Sequence, residues 1–217
     1  TDQDMLTHEY HLSAVVDFRT RMECLEKPDT IMEGVQYHEI PIVDEETLGI
    51  TRSGSPTELL RNFKEIPEEF MLKQYESLVH DEYSIKQYAR FLDVLLHQNE
   101  GAVLWHCSAG KDRVGVGTAL LLEALDIPEE KIFQDYMLVN ELTAQAVEEQ
   151  MKKLGTRIED PGLLACIRSL LQVQSGYLQG VLDEIRDSYG SMERFLEQEM
   201  DLGSANRKRL KELYLED

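Results

Sequence analysis

The chain has 217 residues, 42% of them hydrophobic and 29% charged, with 42 acidic against 22 basic side chains and a net charge of −20. That size and composition fit one globular domain with a substantial core, and the charge argues against nucleic acid or an anionic membrane surface as a partner. No apolar run reaches membrane-spanning length, so no stable membrane insertion is expected; Cys24, Cys107 and Cys166 form no pairing framework, and the six histidines no metal-ligand spacing.

Residues 1–11 read as a short helix with Thr1 as its N-cap and acidic residues in the first turn. Residues 13–18, rich in valine and ending in Asp17-Phe18-Arg19, read as a strand, and residues 35–42 as a second extended stretch running into an acidic loop at 43–47. Gly and Pro punctuate 51–56, which reads as a mobile loop. From Pro67 onward the chain is mainly helical. Ile85, Tyr88, Ala89, Leu92, Leu95 and Leu96 recur at helical spacing and predict one buried face. Residues 102–106 follow as a buried strand and 114–125 as its helix, with Gly115 and Gly117 letting that helix approach the sheet closely. Pro128 with Glu129 and Glu130 opens another helix, turning Ile132, Phe133, Tyr136 and Met137 inward. Periodic segments at 163–171, 177–185 and 192–213, the last broken near Gly203, complete a helical portion over 143–217. The expected architecture is α/β: a small, mostly parallel central sheet flanked by helices, with a helix-rich C-terminal half, in a single domain over 1–217.

The run Trp105-His106-Cys107-Ser108-Ala109-Gly110-Lys111-Asp112-Arg113 reads as joining a buried strand to a helix N-terminus through a tight loop. Unpaired backbone N–H groups and the helix dipole converge at such a junction and make an anion cradle. A cysteine held there is expected to ionise readily, and the same field would hold phosphate oxygens, with Arg113 as a bidentate fork. Cys107 is therefore read as a nucleophile and residues 108–113 as the phosphate-binding loop. His106 reads as a group orienting the loop through backbone hydrogen bonds, with a proton-shuttle role as the minority option. Ser108 either donates to the thiolate or faces solvent. A nucleotide-binding P-loop is excluded, because Gly110-Lys111 is followed by Asp112 rather than Ser or Thr.

His106-Cys107-x-x-Gly110-x-x-Arg113 resembles the Cys-x5-Arg signature of the cysteine-dependent tyrosine phosphatase superfamily. More narrowly, the loop is similar to that of a bacterial tyrosine phosphatase family reading His-Cys-x-Ala-Gly-Lys-Asp-Arg. Val15-Val16-Asp17-Phe18-Arg19 with Glu23 is similar to that family's Val-Ile-Asp-Leu-Arg strand, and Tyr189-Gly190-Ser191 and Leu213-Tyr214-Leu215 fit its helical tail. The resemblance implies a phosphatase acting on phosphorylated protein or phosphoinositide through a cysteinyl-phosphate, with no cofactor. Two departures accompany it. Val114 stands where the family usually has Thr, which implies slow breakdown of the intermediate with Ser108 as a partial substitute; and the family's opening Asn-Phe-Arg-Asp-Leu-Gly-Gly segment is not in the sequence, so a longer natural chain is expected.

The resemblance implies Asp112 as general acid. Lys111, Arg113 and the helix dipole favour its carboxylate, whereas a bound dianion opposes them. Asp44, in Pro41-Ile42-Val43-Asp44, resembles the acid-bearing loop of other cysteine phosphatases; it also reads as part of a solvated acidic run, and Asp112 is preferred. Lys111 reads either as a rim charge for additional phosphates or as loop structure. Arg19 and Glu23, four apart at a helix start, are expected to pair with each other. Two rival functions stay open, a silent phosphate-binding module and a rhodanese-like sulfurtransferase. A reducing, cytoplasmic compartment is expected, with secretion left open.

Overall fold

Strand β1 (Leu12–Asp17) lies between β2 (Gln36–Glu39) and β3 (Ala102–His106), and the three are parallel. The computed structural model describes residues 2–44 and 67–216. β1 is the middle strand because Ala14, Val15 and Val16 can all be buried, giving the continuous apolar run that a parallel strand covered on both faces needs. The extended stretch continues past β2: the Ile40 N–H donates to the Asp17 carbonyl at 2.9 Å and the Ile42 N–H to the Phe18 carbonyl at 3.3 Å.

The N-terminal expectation needs correcting. Asp2–Asp4 forms one α-turn that widens into a π-helix, Met5–Glu9. The Thr7 hydroxyl donates to the Gln3 carbonyl at 2.9 Å and competes with the backbone ladder there, which favours the wider turn. Thr1, the loop at 51–56 and all of 43–47 beyond Asp44 lie outside the described residues.

Ten further helices follow among the described residues: α1 (Arg21–Glu26), α2 (Pro67–His80), α3 (Glu82–His97), α4 (Asp112–Ala124), α5 (Glu129–Leu142), α6 (Ala144–Gly155), α7 (Pro161–Leu171), α8 (Ser175–Tyr189), α9 (Met192–Glu199) and α10 (Ser204–Tyr214). The predicted face of α3 is buried at Ile85, Tyr88, Leu92 and Leu95, and the Asp81 carboxylate caps its start by accepting from the Ser84 N–H at 2.9 Å. The predicted break near Gly203 falls between α9 and α10, where Gly203 is the N-cap. One large core joins β1, α2–α5 and α8–α10, whereas α6 and α7 close over a small second cluster of Val147, Met151, Ile158 and Ile167.

The two glycines of α4 meet different neighbours. A Cβ on Gly117 would come 3.1 Å from the Phe18 ring, as a close approach to the sheet requires. At Gly115 it would come 2.8 Å from the Tyr136 ring, so that glycine admits α5 rather than the sheet.

Candidate active site

Asp17 and His106 are register partners at the carboxyl ends of β1 and β3, and the Phe18 N–H donates to the His106 carbonyl at 2.9 Å. The chain leaves β1 toward β2 on one side and leaves β3 into α4 on the other. A crevice at the carboxyl ends of parallel strands, where the order reverses, is the usual ligand position in such sheets. The loop 107–111 fills it.

Gly110 has φ +67°, a left-handed conformation that lets the loop turn into α4 two residues earlier than the hydrophobic periodicity predicts. The first turn of α4, beginning at Asp112, points N–H groups without intrahelical acceptors toward the loop. Cys107 is buried beneath it, while Ser108, Ala109 and Gly110 are exposed. The Tyr88 hydroxyl donates to the Arg113 carbonyl at 2.9 Å and pins the loop to α3; burial, with Cys107 nearby, holds that phenol well above its usual range. The Trp105 indole N–H donates to the Thr118 hydroxyl at 3.0 Å and ties β3 to α4.

Arg113 does not stand alone. Its Nη1 donates to Glu23 Oε2 at 2.7 Å and its Nη2 to Glu23 Oε1 at 2.9 Å, with Nη1 also 3.3 Å from the Phe18 carbonyl. This grip leaves Nε–H and one Nη2–H, which together form the side-on fork of the guanidinium, without a partner among the described residues. Glu23 is placed by a capping box at the start of α1: its N–H donates to the Thr20 hydroxyl at 3.2 Å, and its carboxylate accepts from the Thr20 N–H at 2.8 Å. Burial pushes the Glu23 carboxyl up, but hydrogen bonds from Arg113, Ser108 and the Thr20 N–H outweigh it and hold the pKa at about 2.

The structure overturns the Arg19–Glu23 pairing and bears on the readings of Ser108 and Lys111 that the sequence left open. Arg19 does not pair with Glu23; it precedes the helix cap, so the spacing that pairs residues along a helix does not apply to it. Its guanidinium lies on Asp17 at 2.7 Å and Asp29 at 2.6 Å and donates to the Lys27 carbonyl at 2.7 Å. The Ser108 hydroxyl donates neither to the thiol nor to solvent but to Glu23. Lys111 is no rim charge in this structure, since its ammonium lies 2.7 Å from both oxygens of Asp112 and the residue is buried.

His106 has a partner at each ring nitrogen. Its Nε2 is 3.0 Å from Asp29 Oδ2 and its Nδ1 is 3.3 Å from the Cys107 carbonyl. Asp17, Asp29 and His106 bring ligand-type atoms within 4.8 Å of one another, yet the Arg19 guanidinium already bridges the two carboxylates, so the cluster is an ion-pair network. Asp17 is held below the usual carboxylate range: burial opposes this, and hydrogen bonds from Arg19 and Cys24 outweigh it. The Cys24 thiol, pushed up to about 11 by burial and the neighbouring Asp17, is a poor nucleophile.

Asp112 accepts from the Tyr75 hydroxyl at 2.7 Å, and Tyr75 accepts from the Tyr136 hydroxyl at 2.9 Å. Neither tyrosine stood out as a site residue in the sequence. A cavity of about 340 Å³ opens beside Asp112 and Arg113, walled by Val43, Phe70, Met71, Tyr75 and Leu78. Asp44 follows Val43 in the chain at the edge of the described residues. Among the described residues no helix is long and apolar enough to cross a membrane.

A buried cysteine directly follows a parallel strand, and an arginine gripped by Glu23 follows it in the first turn of α4. The comparisons name the family. The model of the tyrosine phosphatase family matches residues 1–216, and the chain belongs to that family. It is 24% identical over 202 residues to a putative tyrosine-protein phosphatase of Cupriavidus necator, covering 89% of this chain and 67% of that one. It is 25% identical over 189 residues to a tyrosine-protein phosphatase of Nostoc commune, covering 83% of this chain and 59% of the relative. Over a shorter stretch of 103 residues it is 32% identical to the triple specificity protein phosphatase PtpB of Mycobacterium tuberculosis, covering 43% and 37% of the two chains. The chain thus spans between 37% and 67% of the length of these relatives.

Proposed function

We propose that this chain hydrolyses phosphomonoesters through a cysteinyl-phosphate, with phosphotyrosyl protein as its first substrate class and phosphoserine, phosphothreonine or phosphoinositide groups as a broader range. The observation that carries this reading is the pairing, within one loop, of buried Cys107 with an Arg113 whose side-on fork is open while Glu23 grips its other edge. That fork and the N–H groups of 108–113 are the donors a phosphoryl group with three equatorial oxygens needs. The cavity beside Asp112, mostly apolar in its walls, is large enough for an aromatic ring and supports an aryl ester as substrate.

In the first step Cys107 Sγ attacks phosphorus in line; the S–P bond forms as the P–O bond breaks, and Asp112 gives its proton to the departing oxygen. In the second, the Asp112 carboxylate takes a proton from water, the water oxygen bonds to phosphorus, and the thiolate leaves with its electron pair. Positioning and fixed dipoles supply the catalysis. The second step is slow, because Val114 has no hydroxyl to help the sulfur leave and Glu23 occupies that of Ser108.

The test is burst and steady-state hydrolysis of a chromogenic aryl phosphate, wild type against Cys107→Ser, with chelator present throughout. Turnover that survives chelator and vanishes in the variant is expected. Phosphate or vanadate bound without turnover would replace this reading by a silent phosphate-binding module.

A further inference from the structure

Asp112 must carry its proton on one particular oxygen, and the residues around it are not symmetric. Lys111 lies 2.7 Å from Oδ1 and 2.7 Å from Oδ2, so it does not tell the two apart. Tyr75 does: its hydroxyl donates to Oδ1 at 2.7 Å. The direction of that bond is fixed from behind, because Tyr75 oxygen accepts from the Tyr136 hydroxyl at 2.9 Å. Burial and the neighbouring Asp112 hold both phenols above their usual range, so each keeps its proton and remains a donor.

The phenol pair is held by packing. The Tyr75 and Tyr136 rings meet edge to face at 84°, with centroids 6.3 Å apart, and both residues are almost wholly buried. Tyr136 reaches this position across the first turn of α4 because residue 115 is glycine; a Cβ there would lie 2.8 Å from its ring.

We propose that Tyr75, oriented by Tyr136, is a positioning residue that reserves Oδ1 of Asp112 as an acceptor, so that the proton given to the leaving oxygen is carried on Oδ2. This inference rests on the reading of Asp112 as general acid. In the step concerned, the Oδ2–H bond breaks as the new O–H bond forms on the leaving group. The P–O electron pair stays with the leaving oxygen, and the S–P bond to Cys107 replaces it. Without the Tyr75 hydroxyl the carboxyl can turn, and the proton is shared between a productive and an unproductive oxygen.

The experiment compares kcat/KM for a series of aryl and alkyl phosphates whose leaving groups range from strongly acidic phenols to alcohols. Tyr75→Phe keeps the ring and removes only the donor. Relative to wild type, its ratio of kcat/KM for the alcohol against the acidic phenol is expected to fall about tenfold, a fraction of the 10²–10⁴-fold range of general acid catalysis. Tyr136→Phe should lower the same ratio about twofold, and Gly115→Ala, which displaces Tyr136 without touching either hydroxyl, should act in the same direction. A loss of packing alone would lower all substrates together and leave the ratio unchanged. Asp112→Asn is run beside them. If Asp112→Asn steepens the leaving-group dependence and Tyr75→Phe, with wild-type Tm, does not, the positioning role is overturned and the acid reading stands. If Asp112→Asn leaves the dependence unchanged, the acid reading falls and this inference with it.

Discussion

The ends of β1 and β3 carry one arginine each, and the two are treated in opposite ways. Arg19, after β1, spends Nε and Nη2 on Asp17, Nη2 also on Asp29 and Nη1 on the Lys27 carbonyl. Arg113, after β3, is gripped end-on by one carboxylate and keeps its side-on fork unengaged among the described residues. Both side chains are mostly buried and both sit on carboxylates, so burial and charge do not separate them. Donor accounting does: Arg19 has four of its five N–H donors engaged and belongs to the scaffold, whereas Arg113 keeps the adjacent Nε–H and Nη2–H pair open for the anion of the proposed reaction.

That contrast can be broken by paired substitutions. Arg113→Lys, which keeps the charge and loses the fork, should lower kcat/KM for an aryl phosphate by about 10²–10³-fold, with Tm close to wild type. Arg19→Met should do the reverse, destabilising by about 3 kcal/mol because Asp17 and Asp29 lose their shared cation, and sparing activity in whatever fraction remains folded. Denaturant melts and initial rates on both variants check this; equal losses of rate would erase the distinction between the two arginines.

Glu23→Gln sharpens the comparison at a second level, since Glu23 serves both the α1 cap and the Arg113 grip. A loss of about tenfold in kcat/KM is expected from looser positioning of Arg113. Its pH signature is more specific. A carboxyl depressed to about 2 in the folded chain stabilises it fully above the ordinary carboxylate pKa, and that contribution is lost as pH falls through the window down to about 2. The Tm difference between wild type and Glu23→Gln should therefore be largest near neutral pH and close on acidification. A pH-independent difference would mean the grip is not ionic.

The smallest expected effect lies at Val114, where Thr should raise steady-state kcat about two- to fivefold and reduce the burst, the size of one added hydrogen bond. No faster turnover in Val114→Thr would remove intermediate breakdown as the slow step.

The parts of the site legible in the sequence were those contiguous in the chain. Strand, loop and helix from Trp105 to Arg113 carry their own signals, although β3, expected to be buried, has no fully buried residue, and the readings of Cys107, Asp112 and Arg113 rest on spacing and resemblance. What sequence reading missed arrives through tertiary structure: Glu23 is 90 residues from Arg113, Tyr75 is 37 from Asp112, and Tyr136 is 61 from Tyr75. Glu23 did leave a local trace, since Thr20-Arg21-Met22-Glu23 is a capping box. Reading that cap would have placed Arg19 outside the helix and ruled out the Arg19–Glu23 pair. Tyr136 was correctly expected to face inward from its periodicity. Helical spacing says which face is buried but not that a buried hydroxyl meets a phenol on another helix.

The central claim is that Cys107 carries the phosphoryl group, and rapid chemical quench followed by peptide mass spectrometry tests it most directly. During the burst with an aryl phosphate, the peptide bearing Cys107 should gain the mass of one phosphoryl group on sulfur, and Cys107→Ser should form no phosphocysteine and turn nothing over. Wild-type turnover without phosphocysteine, or undiminished turnover in Cys107→Ser, would contradict the account.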